Sequence, residues 1–375
     1  MKTYKESYFF CNFIKKNHDM LKRYPNNPII QPSDLKPLNN SFKILGVFNP
    51  AAFLMNNKIY LLLRVAEQPK EVEGKLRIPI VEKTKGKAQL TFFEVDKDDE
   101  DLMINDVRKY EWKGREYLSS LSHFRLAESD DGIHFKISEE AWMLPDGENE
   151  NFGIEDARVS FIENAYYVYF TAASDDGYVT SMVKTQDFTS YERLGIIFPP
   201  LNKDVAIFPE KVMGKYFAFH RPEVVPFGKP SIWTATSPDL IHWGEHHVLL
   251  RPDHGPWNND KIGAGPPPIK TPKGWLVIYH GVSKTKNQDG EFYSLSAMLL
   301  DLKDPHKILA QKTPILFPEN DYETSAFVKN VVFSNGAVYL TKSEEILIYY
   351  GAGDESIGLA SIKLQDFLIL LEPKT

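Results

Sequence analysis

Along this chain, short apolar runs rich in β-branched and aromatic residues alternate with clusters of Gly, Pro, Asn and Asp. Helical spacing is scarce, so the pattern predicts a mainly β protein. One type of run recurs five times: Lys58–Arg64, Ala165–Thr171, Lys215–Arg221, Gly274–His280 and Glu345–Gly351. Each follows a turn signal: Asn56-Asn57, Glu163-Asn164, Gly214, Pro272-Lys273 and, more weakly, Ser343-Glu344. A second element follows in phase. Ser129–Phe135, Thr185–Tyr191 and Ser237–Trp243 share a Ser/Thr-x-Asp-x-x-x-aromatic pattern, with starts 56 and 52 residues apart. The Asp can hydrogen-bond the turn backbone while the aromatic pins the hairpin to its sheet. That spacing is about one four-stranded propeller blade.

Five runs read as inner strands predict an all-β, five-bladed β-propeller spanning 33–375 as one catalytic domain. A two-domain β-sandwich is the competing architecture. The doubled step between the first two runs contains the charged segments Glu67–Lys87 and Asp96–Asp106, read as loop-like insertions in the first blade. Residues 1–32 are expected to form an N-terminal arm, loosely amphipathic and helical over Tyr8–Arg23, that contacts the body or a second subunit and so offers a route to a homo-oligomer. In a propeller the strand ends converge on one funnel, which would bring Arg64, Asp156, His220, His280 and Asp354 together.

The composition, 42% apolar and 25% charged, suits a large buried core, and a net charge of −7 argues against a general nucleic-acid binder. With a single cysteine, Cys11, no internal disulfide forms, which fits a reducing compartment. No run has the length or apolarity of a signal core or membrane span, so a cytoplasmic protein without membrane contacts is expected. The aromatic content of 13% fits a β core, or in part a set of sugar-stacking platforms at a pocket rim.

Candidate chemistry concentrates in four places. Asn151–Arg158 packs Glu155, Asp156 and Arg158 just before a strand-like run, and adjacent strand residues point to opposite faces, so the two carboxylates should do different jobs. Asp156 is the candidate general acid, since burial raises a carboxyl pKa toward neutrality; a turn-stabilising ion cluster is the alternative. Lys203–Lys211 with His220-Arg221-Pro222 concentrates basic groups suited to an oxyanion. Lys261–Ile269 is a stiff Gly/Pro loop leading to Tyr279 and His280, and Tyr349–Asp354 ends in a carboxylate that binds hydroxyls or closes a turn. No cysteine nucleophile constellation, Gly-x-Ser-x-Gly elbow or His-Glu-x-x-His motif is present, and no histidine spacing predicts a metal.

Together these segments resemble glycoside hydrolase family 130, the β-mannoside phosphorylases and related β-mannosidases. The resemblance runs from about Asn49 to Ala360 and rests on Phe48-Asn-Pro-Ala51 with Arg64, Gly153–Arg158, Phe208–Lys211 with His220–Pro222, Gly274–Gly281 and Tyr349–Asp354. Ala157, where the family usually has proline, and Gly353 are departures that remove no polar group. The resemblance implies a five-bladed propeller with Asp156 as catalytic acid. It implies inverting phosphorolysis of a β-mannoside to α-mannose 1-phosphate, with inorganic phosphate as co-substrate and no other cofactor. In some members the proton passes through the 3-hydroxyl of the sugar. Phosphate is itself the nucleophile, so no protein base is needed, unlike the two-carboxylate layout of ordinary inverting hydrolases. The resemblance points to Arg64, Lys203, His220 and Arg221 as phosphate ligands, and to Asn49, Arg158, His280, Tyr293 and Asp354 as sugar contacts. A β-1,2-mannosidase using Glu210 or Glu223 to position water, and a non-catalytic glycan-binding propeller, are the alternatives. Whether the leaving sugar is glucose, N-acetylglucosamine or mannose stays open at this level.

Overall fold

The computed structural model describes residues 21–106, 108–147, 149–224, 227–284 and 291–372. The expected helix from Tyr8 lies almost wholly in residues 1–20, outside the described residues. All five recurrent runs are strands, and each belongs to a different antiparallel sheet. The first sheet holds Phe42–Met55, Lys58–Pro69, Leu121–Ser129 and Lys136–Ile137, and the second holds Gly153–Ile162, Ala165–Ser174, Gly177–Thr185 and Glu192–Phe198. The third is Asn202–Ile207, Tyr216–Pro222, Ile232–Ser237 and Gly244–Leu250. The fourth has Lys261–Ala264, Gly274–Lys284, Glu291–Leu300 and Ile308–Leu316, with the short Ile269–Thr271 alongside. The fifth is Val332–Leu340, Glu345–Ala352 and Ser356–Lys363, completed by Lys22–Arg23 from the other end of the chain.

The recurrent runs are continuous in hydrophobicity because each is buried on both faces. Strand alternation deals their side chains to two neighbouring sheets. Leu62 packs with Ile154 and Val168 of the second sheet, while Leu61 and Leu63 pack with Val338 and Leu347 of the fifth. Tyr169 joins Val205 and Ala218, Phe219 joins Val277 and Tyr279, and Ile278 joins Val332 and Ile348. Five clusters thus fill the contacts between consecutive sheets, the last of them between the fifth and the first. Each large apolar side chain so buried contributes roughly 1.5–3 kcal/mol relative to exposure.

Each recurrent run lies second in its sheet; the strand in contact with neighbouring sheets near the centre is the one paired in front of it. Those first strands lack an unbroken apolar run because a bulge interrupts most of them. In four sheets two residues on the first strand oppose one on the second: Asn49-Pro50, Asp156-Ala157, Asp204-Val205 and Ser334-Asn335. The first residue of three of these pairs has a positive φ, 46° at Asn49, 52° at Asp156 and 54° at Asp204. Such a conformation is uncommon outside glycine, and Asn and Asp tolerate it best. The residue just before the bulge pairs with the last residue of the recurrent run: Phe48 with Arg64, Glu155 with Thr171, Lys203 with Arg221, Phe333 with Gly351. In the fourth sheet Gly263 pairs with His280.

The Asp turns behave as their pattern predicts. Asp131 accepts the backbone N–H groups of Ile133 and His134, and Asp239 those of Ile241 and His242, each at 2.8–2.9 Å. The charged insertions, in contrast, are not loops. Lys75–Thr84 and Lys87–Asp96 form a hairpin, and Leu102–Asp106, Lys109–Trp112 and Arg115–Leu118 a small sheet. Alternating Leu76, Ile78, Phe93 and Val95 give this insertion its own core beneath the charges. No helix among the described residues is long and apolar enough to cross a membrane.

Residues 22–30, on the N-terminal side of the boundary expected at residue 32, pack onto the fifth sheet. Lys22 and Arg23 pair with Ser361 and Ala360, and Ile30 bridges Ile357. Arg23 donates to Glu323 at 2.8 Å and to Glu319 at 2.8 Å. Glu323 is fully buried and also accepts from Tyr350 Oη and the Glu319 and Asn320 amides. Removing one partner of such a pair strands the other charge, at a cost of about 3 kcal/mol. Arg23→Ala should therefore lower the unfolding free energy by ~2–4 kcal/mol in denaturant titration, whereas a change below ~1 kcal/mol would show that this clasp does not hold the fifth sheet.

Candidate active site

The bulges turn polar side chains of the first strands toward a common cavity of about 750 Å³. Its lining includes Asn49, Arg64, Glu155, Asp156, Lys203 and Arg221 from the first three sheets. Lys261, His280, Glu291 and Tyr293 of the fourth sheet also line it, as do Phe333 and Asp354 of the fifth.

Asp156 sits at the centre of one half. Its Oδ1 accepts from Asn49 Nδ2 at 3.0 Å and from Arg64 Nη1 at 2.9 Å. Arg64 spends its second nitrogen on Glu155 at 2.8 Å and its Nε on Ser122 at 3.1 Å, and its guanidinium lies 4.6 Å from the centre of the Phe48 ring. The two adjacent carboxylates therefore share one arginine, and Asp156 turns toward it through its left-handed backbone. Burial pushes the Asp156 carboxyl up, but the charges of Arg64 and Arg158 outweigh it, and the net direction is below the ordinary value. This corrects the expectation that burial would keep Asp156 protonated. The carboxyl held high is Asp354, pushed up to about 6 by burial, against the pull of Arg64 and with the push of Asp156 and Glu155.

The floor of the other half is a buried carboxylate, Asp204, at the same bulge position as Asp156. It meets Arg221 at 3.0 Å, His280 at 3.4 Å and Arg158 at 3.4 Å. Burial would raise its pKa, yet Arg221 and His280 hold it well below the carboxylate range. Above this floor stand Lys203, whose ammonium lies 4.7 Å from the Tyr178 ring centre, and Lys261, paired with Glu291 at 3.0 Å. Tyr293 Oη donates to the same Glu291 at 2.8 Å. Lys203, Arg221 and Lys261 together make this side of the cavity basic.

Of the residues expected from sequence, Asn49, Arg64, Asp156, Lys203, Arg221, His280, Tyr293 and Asp354 line the cavity. Arg158 and His220 do not. Arg158 is fully buried below it, donating to the carbonyls of Asp156, Ala264 and Gly265; the expected loop Lys261–Ile269 is a strand over Lys261–Ala264, and Arg158 fixes its end beneath Asp156. His220 precedes Arg221 on a strand and so faces the opposite side. There it is stacked on Phe198, bonded to Asn202 and 3.1 Å from His246, and burial with His246 lowers its pKa to about 3. It is neutral and directed away from the basic wall. Arg64 is likewise committed to Glu155 and Asp156, on the acid side and not the basic one. Glu210 is exposed and bonded to Lys270, and Glu223 is tied to Arg221 at 3.3 Å, so neither faces the cavity as a free carboxylate.

Sequence reasoning gave no role to Asp204, Lys261 or Glu291. For Asp204 a signal existed: like Asn49 and Asp156, it is a polar residue interrupting a strand opposite the end of a recurrent run. Lys261 and Glu291 are brought together only by the pairing of non-adjacent strands in the fourth sheet.

The family model for glycoside hydrolase family 130, described as β-1,4-mannooligosaccharide phosphorylase, matches residues 107–372. The β-1,2-mannobiose phosphorylase of Listeria innocua is 41% identical over 93% of this chain and 98% of its own length. A 1,2-β-oligomannan phosphorylase from Thermoanaerobacter is 33% identical over 92% of this chain and 98% of its length. The solved structure of the Listeria protein with β-1,2-mannobiose aligns with a TM-score of 0.83, covering 94% of this chain and 99% of that one.

The raised Asp354 carboxyl makes stability depend on pH. The folded state binds its proton more tightly than the unfolded chain, so this contribution is complete below about pH 4 and is lost as pH rises through about 6. Asp354→Asn removes the penalty of ionisation. Its stability should match wild type near pH 4 and exceed it by ~1–3 kcal/mol at pH 8, read from unfolding curves at both pH values. An equal difference at both pH values would show that Asp354 is not the strained carboxyl.

Proposed function

The chain belongs to glycoside hydrolase family 130, and we propose that it cleaves β-1,2-linked mannosides by inverting phosphorolysis, releasing α-mannose 1-phosphate. The reading rests on one observation: Asp156 with its arginine clamp occupies one side of the cavity, and Lys203, Arg221 and Lys261 the other. The two closely related proteins named above act, by their names, on β-1,2-linked mannose. In this proposal the five sheets are blades of a propeller whose funnel is the cavity, and 33–375 is one catalytic domain closed by the strand at Lys22–Arg23.

The chemistry follows from the two halves. Phosphate, held by charge-assisted hydrogen bonds on the basic side, attacks C1 of the terminal mannosyl unit from its α face. The C1–O bond breaks toward the acid side, and the leaving oxygen takes the proton of Asp156, directly or through the sugar 3-hydroxyl. Asp156 is ionised while water fills the cavity. A bound sugar displaces that water and shifts its Arg64 pairing, and phosphate brings negative charge nearby; both changes favour the protonated acid. Asn49, His280, Tyr293 and Asp354 are placed to contact the mannosyl unit, with Arg158 supporting Asp156 from below. No protein base is required, because the nucleophile enters as an anion. The partners are thus a β-mannoside and inorganic phosphate. The lone Cys11 and the demand for free phosphate support a cytoplasmic setting.

Purified protein should form mannose 1-phosphate from β-1,2-mannobiose only when phosphate is present; equal release of free mannose with and without phosphate would overturn the proposal. Asp156→Asn should lower kcat by at least about 10³-fold. Lys203→Ala should raise KM for phosphate by about tenfold, with a much smaller effect on KM for the mannoside.

A further inference from the structure

Asn49 stands where three sheets meet. It belongs to the first, its side-chain amide donates to Asp156 of the second at 3.0 Å, and its carbonyl accepts from Asn335 of the fifth at 3.4 Å. The residue is buried, and its amide oxygen has no hydrogen-bond partner among the described residues. An oxygen left in that way disfavours the position, so packing and not hydrogen bonding must fix the far side of the amide.

Gly351 lies against that oxygen. It ends the fifth recurrent run, inside a strand, between Phe333 and Ile357 of its neighbours. Glycine weakens a strand interior and often marks a place where another chain segment comes close. Backbone conformation does not demand it here, because Gly351 is not left-handed, unlike Gly353 with a φ of 61°. Space does. A methyl placed on Gly351 would overlap Asn49 Oδ1 and lie 3.1 Å from Asn49 Cγ and 2.9 Å from Asn49 N. The three nearest atoms thus belong to one residue. The basic half of the site repeats the device: a methyl on Gly263 would overlap Asp204 Oδ2 and stand 2.5 Å from His280 Cε1. Two of the three left-handed bulge residues therefore lay their side chains over a position without a Cβ in an adjacent sheet.

We propose that Gly351 is a positioning residue for the acid: lacking a side chain, it admits the Asn49 amide, which holds Asp156 in place facing Arg64. This deepens the proposed function and rests on it for Asp156 as proton donor. Alanine at 351 would push the Asn49 amide off Asp156. Losing a donor to the ionised carboxylate disfavours the charged form, so the pKa of Asp156 rises from its lowered position. The charges facing Asp156 are Arg64, Arg158, Glu155 and Asp354, with Lys203, Arg221 and Lys261 across the cavity. None of them is among the atoms nearest the added methyl. The donor must carry its proton in the free enzyme, so the alkaline limb of kcat/KM moves to higher pH.

The test is the pH profile of kcat/KM on β-1,2-mannobiose for wild type, Gly351→Ala, Asn49→Ala and the double variant. Turnover is read as mannose and mannose 1-phosphate together. Each single variant should lower kcat by about tenfold and move the alkaline limb up by about one pH unit. In the Asn49→Ala background, Gly351→Ala should change kcat by less than about twofold and leave the limb where it is. A limb unmoved by Gly351→Ala, or the same loss in both backgrounds, assigns the glycine to packing alone and overturns the proposal. If Gly351→Ala does not fold, adding Asn49→Ala should restore folding by removing the overlapped oxygen. A double variant that is also unfolded shows that the Asn49 backbone demands the glycine, which overturns the proposal as well. A crystal structure of Gly351→Ala, or of Gly351→Ser, reads the geometry without turnover. Asn49 Nδ2 out of reach of Asp156 supports the positioning role, and an unmoved amide sinks it. Wild type that releases mannose without phosphate, or turns over no mannoside, sinks phosphorolysis and leaves the structural readout to decide on Gly351.

Discussion

The site depends on a buried carboxylate. Asp204 holds Arg221 of its own sheet, Arg158 of the second and His280 of the fourth within 3.0–3.4 Å, with almost no solvent around any of them. An isolated ion there would be prohibitively costly, and it persists because three donors converge on it. That convergence fixes the spacing of three sheets at the floor of the cavity. It also leaves the guanidinium of Arg221, which Glu223 engages from its other side at 3.3 Å, at the cavity wall.

The same local device supplies both carboxylates. A two-for-one bulge in the first strand swings Asp156 toward Arg64, which ends the recurrent run of the neighbouring first sheet, and Asp204 toward Arg221, which ends the run of its own sheet. The chemical outcomes diverge through burial and company. Asp204 is enclosed by cations and remains an anion. Asp156 has one arginine shared with Glu155, an amide from Asn49, and the open cavity before it. Only the second arrangement can gain and lose a proton as ligands come and go.

How much of this was legible in the residues follows from range. The recurrent strands were readable because burial on both faces writes itself as an unbroken apolar run such as Tyr166–Phe170. The Asp turns were readable because Asp131 and Asp239 act on backbone two and three residues away. The first strands were not, since bulges and polar residues interrupt them, and their role is defined by neighbours far along the chain. For the same reason His220 was grouped with Arg221 by proximity in sequence, although a strand sends them to opposite faces. The sign of the Asp156 shift is also out of reach of the sequence: it depends on Arg64, 92 positions away, acting together with Arg158 and Asn49 against burial.

Charge balance within the cavity explains why phosphate, and not water, suits the second half. Arg64 is already matched by two carboxylates and draws weakly on a new anion, whereas Lys261 shares its one carboxylate, Glu291, with Lys284 and the Tyr293 hydroxyl. Lys203 is held against the Tyr178 ring, and Arg221 shares Asp204 with two other donors. A neutral water would gain little from these two cations and would find no carboxylate among Glu210 and Glu223 free to deprotonate it. An anionic nucleophile gains their attraction in a site of reduced dielectric, and it carries its own reactivity. Among the described residues the carboxylates on that side, Asp204 and Glu291, are held by Arg221 and by Lys261 with Tyr293, and an anionic cosubstrate needs no base from them.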